Sequence, residues 1–137
     1  MPWSVVKKKL WVEKLRLAEL FLGEVNANLK DLSEGKLLSD KVYEVARGAD
    51  QLELFGEELS RHITRTYDKV TTINDALVKY QKFRSTSAGD PGYEKKGAEF
   101  QQFLAWYRGG LSTSLQNLAG RLKDELEKKP EEDIMTP

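Results

Sequence analysis

The feature that most constrains this chain is a helical rhythm of apolar residues that begins near the N-terminus and recurs in long runs. Trp11, Leu15, Ala18, Leu22, Val25, Leu29 and Leu32 alternate steps of four and three, which holds them on one face of a helix. Leu10, Leu17 and Phe21 widen that face beyond the narrow seam of a simple coiled coil. A helix from Ser4, as N-cap, to about Leu32 therefore needs two or more neighbours. At 1.5 Å per residue it is about 40 Å long. Ser33, Glu34 and Gly35 form its exit.

The next run leaves two readings open. Val42, Val45, Ala49, Leu52, Gly56, Leu59, Ile63, Thr66, Val70, Ile73, Leu77 and Tyr80 keep an unbroken heptad rhythm with no proline, so one helix over residues 40–84 fits the pattern. Gly48 and Gly56 oppose it, each costing about 1 kcal/mol in a helix interior. Asp50 and Glu53 also have the spacing of a capping box. The favoured reading is a short helix at 40–47 started by Ser39 or Asp40, an irregular turn at 48–56, and a long helix at 57–84.

Ser85 to Gly92 is the clearest loop, with two glycines and an Asp-Pro pair among small polar residues. Pro91 suits the first turn of a following helix, where its missing N–H has no partner to lose. Phe100, Leu104, Tyr107, Leu111, Leu115, Leu118, Leu122 and Leu126 carry that helix to about Lys129 with a repeat close to eleven residues. Pro130 ends it, and residues 130–137 read as an acidic tail. The expected architecture is all-α: an antiparallel bundle of three long helices plus one short helix, in a single domain over residues 1–129.

Composition narrows the chemistry. Lys and Arg number 22 and so do Asp and Glu, so no global field draws the chain to nucleic acid or acidic lipid. Cysteine is absent, which removes disulfides, thiolate metal sites and cysteine nucleophiles and fits a reducing, cytoplasmic setting. The lysines at 7–9 are followed by Glu13, Lys14, Arg16 and Glu19 instead of a continuous apolar core, so neither a signal peptide nor a membrane span is read there.

No catalytic constellation emerges, and the expectation is a chain that is not an enzyme and carries no cofactor and no metal. His62 is the single histidine, on one helical face with Glu58, and is read as a surface side chain beside a carboxylate. Ser85, Ser87, Ser112 and Ser114 lack a nucleophile elbow. Gly109-Gly110 is not followed by the Lys and Ser/Thr of a phosphate loop.

Three groups of residues remain as interaction candidates. Trp3, Lys7, Lys8, Lys9 and Trp11 have the composition of an interfacial membrane helix, and equally of a helix docked on a core with its lysines in water. Arg61, Arg65 and Lys69 recur at four-residue spacing and form a strip able to neutralise phosphates, or a solvated helix face. Gly109 and Gly110, beside Trp106, mark either close helix packing or a kink, or else a notch for a partner's side chain or a small apolar ligand.

Between Val25 and Asn74 stand Asn26 and Asn28 before Leu29, the helix start Leu38-Ser39-Asp40-Lys41-Val42-Tyr43, then Leu52, Leu54, Glu58-Leu59, Tyr67 and Ile73-Asn74. This third of the chain resembles the helical portion of small uncharacterised prokaryotic proteins, in which a similar part often follows a membrane-spanning helix. The resemblance implies no activity; it implies a break near Gly48–Gly56 and some proximity to a membrane. The expectation is a non-catalytic helical interaction or scaffold module that self-associates, as a homo-oligomer or with a protein partner. The alternatives are a membrane-peripheral module using the N-terminal Trp/Lys helix and a nucleic-acid accessory protein, which the balanced charge disfavours.

Overall fold

The computed structural model describes residues 2–128, and side chains from Val5 onward. It is all-α, as the apolar rhythm requires. Helix α1 spans Pro2–Ser33, α2 Lys41–Gly48, α3 Gly56–Thr86 and α4 Tyr93–Glu127, with a 3-10 turn at Gln51–Phe55 between α2 and α3. Helix α1 already runs from Pro2, so Ser4 lies inside it and not at its cap. The residues of the expected C-terminal tail, 130–137, lie outside the described part of the chain.

Helix α4 is antiparallel to both other long helices. Lys14 of α1 pairs with Glu125 of α4 at 2.9 Å, while Gly35, just past the end of α1, lies against the Arg108 side chain. Along α3, Arg121 meets His62 and Phe83 stacks on Tyr93. Helices α1 and α3 are therefore parallel, and α2 with the 3-10 turn makes the return journey between them. The buried core draws on every element: Phe21 and Val25, Tyr43 and Ala46, Phe55, then Ile63, Tyr67, Val70 and Ile73, then Leu111, Leu115, Leu118 and Leu122. Each α4 stripe residue expected inside is buried or half-buried, whereas Leu10 of α1 is exposed.

The break at 48–56 is real, but its local chemistry differs from the expectation. Asp50 takes a left-handed conformation (φ 54°) and makes no side-chain cap bond, so no capping box forms with Glu53. The residues between are wound into a 3-10 turn because Leu52, Leu54 and Phe55 turn inward onto the core. Gly56, at φ 79°, then reverses the chain into α3, a conformation a side chain would strain.

Helix α2 is likewise not capped by its own flanking residues. Asp40 makes no side-chain cap bond, and Ser39 Oγ accepts only a long 3.4 Å bond from Lys41 N–H. The cap comes from α1: Glu24 Oε2 accepts the Val42 N–H at 2.9 Å and the Ser39 hydroxyl at 2.9 Å. A carboxylate is favourable at a helix N-terminus, where free N–H groups point outward. The other oxygen, Oε1, accepts the Tyr67 hydroxyl of α3 at 2.6 Å. Burial, then the hydrogen bond and charge of Glu24, push the Tyr67 phenol far above its ordinary value, so it stays protonated as a donor.

Two asparagines complete the arrangement by copying the backbone pairing of a sheet. Asn28 accepts Ser39 N–H and donates to Ser39 C=O, both at 2.8 Å; Asn74 accepts Leu38 N–H at 2.8 Å and donates to Leu38 C=O at 3.0 Å. The loop before α2 is thus held from α1 on one side and α3 on the other, which satisfies backbone groups that burial would otherwise orphan. At the far end of the loop region, Pro91 lies in the turn before α4 and not in its first turn; Gly92, at φ 77°, precedes the helix.

Candidate interaction surface

Where α1 stops, α3 and α4 continue. Because Gly35 meets Arg108, α4 residues 93–107 and the end of α3 extend past α1 as a two-helix hairpin. Its seam is aromatic. Phe83 lies 5.0 Å from Tyr93 and 5.2 Å from Phe100, and Phe100 lies 5.7 Å from Tyr80, as ring centroids. These rings are half-buried by each other, with no third helix over them among the described residues.

A second aromatic group sits outside the seam. Phe103 and Trp106, both exposed, join half-buried Tyr107 in a cluster with centroids 5.6 to 6.3 Å apart. Trp106 is 73% exposed, an unusual state for the largest apolar side chain. Two shallow grooves flank this cluster along the hairpin. One, of about 570 Å³, is lined by Ala76, Phe100 and Phe103 with Asp75, Glu99, Lys79 and Lys96 at its rim. The other, of about 380 Å³, is lined by Lys69, Trp106, Tyr107, Gly110 and Leu111. Trp106 lies one turn beyond Phe103 on α4, so the grooves follow one another on the same flank.

The glycine pair now has a defined setting. A Cβ on Gly109 or Gly110 would meet nothing within 4 Å, so the pair does not permit close helix packing, and α4 runs unbroken through it. The expected packing or kink is corrected: both glycines are exposed, and Gly110 lines the groove beside Trp106.

The basic strip on α3 is spread over separate tasks. Arg61 bonds Glu57 at 2.7 Å, and Lys69 Nζ donates to Ser114 Oγ of α4 at 2.7 Å. Arg65 is exposed. The expected neighbour of His62 was Glu58, but its ring partner is Arg121, 3.2 Å from Nδ1. Arginine can only donate, so Nδ1 is the acceptor and the ring is neutral in this contact. Partial burial and then the charges of Arg121, Lys69 and Arg65 hold His62 below its ordinary value.

At the N-terminal end, the Trp3 side chain lies outside the described residues. Trp11 is half-buried, Lys7 is half-buried, and Lys8 and Lys9 are exposed. Val5, Val6, Leu10 and Val12 are exposed too, but they do not share a face. Val5 and Val12 stand together with Lys9 between them, while Val6 and Leu10 occupy another flank. An interfacial helix concentrates its apolar residues on one side, and this segment divides them. Among the described residues, no helix is long and apolar enough to cross a membrane.

Sequence reasoning singled out Trp106 and the glycines but passed over Phe103 and Glu24. Phe103 was detectable as an aromatic one step off the Phe100–Leu104–Tyr107 stripe. Glu24 lies between stripe positions and nothing in its spacing marks it as buried. Comparison of the chain with protein-family models, with curated proteins and with solved structures found no match.

Proposed function

We propose that this chain is a non-catalytic helical scaffold that pairs with a second copy of itself through the projecting α3/α4 hairpin. The observation that carries the reading is the Phe103–Trp106–Tyr107 cluster, with Phe103 and Trp106 exposed, on a hairpin that has no third helix beside it among the described residues. Two hairpins laid together make a four-helix arrangement, the common way for two-helix units to cover an apolar flank. The rim favours a like partner. Asp75 and Glu99 alternate with Lys79 and Lys96, so a two-fold operation can set each sign opposite its complement. The zero formal net charge adds no repulsion between copies. A cysteine-free scaffold suits the reducing cytoplasm.

Sedimentation velocity over a hundredfold range of concentration tests this. The expected result is a monomer–dimer equilibrium that Phe103→Glu and Trp106→Glu each displace to monomer, without loss of helical circular dichroism. A species that stays monomeric at every concentration contradicts the proposal, as does a dimer indifferent to both substitutions.

A further inference from the structure

The opposite flank of the same hairpin carries a different chemistry. A cleft of about 400 Å³ lies where Gly35 meets α3 and α4, with Leu77 and Leu104 at its apolar side. That size is within the range of small-ligand sites. Its polar lining is Tyr80, Gln81, Arg84, Gln101 and Arg108, with no carboxylate among the lining residues.

The arginines are what make the cleft unusual. Arg47, Arg61 and Arg121 each pair with a carboxylate on the same helix or across the bundle. Among the described residues, Arg84 and Arg108 have no such pair, which is also true of the exposed Arg16 and Arg65. Arg84 lies over the Tyr80 ring, 5.8 Å from its centroid, and Arg108 Nε is buried without a protein acceptor. A buried donor left without an acceptor is costly, and guanidinium groups match carboxylates and phosphates in geometry. Tyr80 supports the same polarity. Its oxygen accepts a 2.8 Å bond from Gln101 Nε2, which leaves the phenolic proton free to donate.

We propose that this cleft binds a small oxyanion, a carboxylate or phosphate carried on a compact apolar body, through Arg84 and Arg108. The apolar body lies against Leu77 and Leu104, and the anion completes the hydrogen bonding of the Arg108 guanidinium. Helical spacing separates the cleft from the proposed pairing surface. Residues 77, 80, 81 and 84 of α3 lie on a different flank from 72, 75, 76 and 79, so the two sites can fail independently.

Inorganic phosphate and benzoate are the two probes, each titrated at constant ionic strength while thermal unfolding and the amide resonances of Gly35 and Gln101 are followed. The expected result is a saturable rise of about 3 °C in Tm with at least one probe, and saturable shifts at both amides. Stronger binding of benzoate identifies an apolar carboxylic acid as the ligand class; stronger binding of phosphate identifies a phosphorylated one. The Arg84→Gln and Arg108→Gln variants are each expected to weaken that binding at least tenfold. Arg108→Lys keeps the charge and guards against a folding defect, and it too is expected to bind more weakly because it lacks the planar fork. Equal stabilisation of the wild type and both glutamine variants would overturn the proposal, marking a general salt effect. So would amide shifts that rise linearly with probe concentration.

Discussion

Helices α3 and α4 pass through two regions built on opposite principles. Around Tyr67 the chain is enclosed by α1, α2 and the 3-10 turn, and polar groups there are matched: Glu24 takes three donors, and Asn28 and Asn74 clip the loop backbone. Tyr43 stacks on Tyr67 with ring centroids 4.7 Å apart, and Phe21 meets both Phe55 and Tyr67 edge-on. Past the end of α1, among the described residues, no other helix covers these two, and their aromatic residues spill outside the seam. The enclosed region spends its polar residues on fixing one conformation. The projecting region leaves an aromatic cluster exposed and, among the described residues, two arginines without a carboxylate partner, and those are the groups on which the proposed pairing and anion binding rest.

Substitutions divide along the same line. The largest expected effect is at Glu24, because Glu24→Ala leaves the Tyr67 hydroxyl and the Val42 N–H buried without acceptors and removes the α2 cap. Chemical denaturation is expected to show a loss of about 3 kcal/mol. A loss below about 1 kcal/mol would mean that the network does not hold the enclosed region. Asn28→Ala and Asn74→Ala come next, at about 1–2 kcal/mol each. Limited proteolysis is expected to cut either variant faster between residues 34 and 40, the loop these asparagines hold.

Acidification has a smaller effect with two components. His62 is held below its ordinary value, so the unfolded chain takes up its proton first. Its contribution is complete above about pH 6.5 and is lost as pH falls through the lower folded value. For Glu125, burial alone would raise the carboxyl, but hydrogen bonds and charge from Lys128 and Lys14 outweigh it and hold the group low. Its contribution is complete above about pH 4.5 and disappears below that. Stability measured against pH is therefore expected to fall in two stages, and His62→Gln is expected to flatten the upper one only. The smallest stability effect belongs to Trp106→Glu, within about 0.5 kcal/mol in dilute monomer, because the side chain covers little of its own fold.

Much of the fold was legible in the sequence because burial is periodic. Steps of three and four identified α1, α3 and α4 and most of their buried faces, though not Glu24, Asn28, Tyr67, Ala119 or Glu125, and Gly48 and Gly56 marked the break between α2 and α3. Caps were less legible. Ser39, Asp40, Asp50 and Glu53 have the residue types of local caps, yet α2 is capped by Glu24, from eighteen positions earlier in the chain. A long-range hydrogen bond has no periodicity, so a sequence pattern cannot announce it. The surface was legible in part. Trp106 and Gly110 stood out by type, but the placing of Arg84 and Arg108 along one cleft depends on how α3 and α4 register against each other and on where α1 stops. The residues of the stated resemblance show the same limit: Asn28, Ser39, Val42, Tyr67 and Asn74 appear as scattered landmarks in sequence and as one hydrogen-bonded cluster around the loop in space.

Amide hydrogen exchange at two protein concentrations tests the contrast most directly. Residues 63–74 of α3 and 111–122 of α4 are expected to be protected equally in dilute and concentrated protein. Residues 76–84 and 96–107 are predicted to gain protection as concentration rises and a second hairpin covers the first. Equal protection of the hairpin at both concentrations, or a gain confined to the enclosed region, would contradict it.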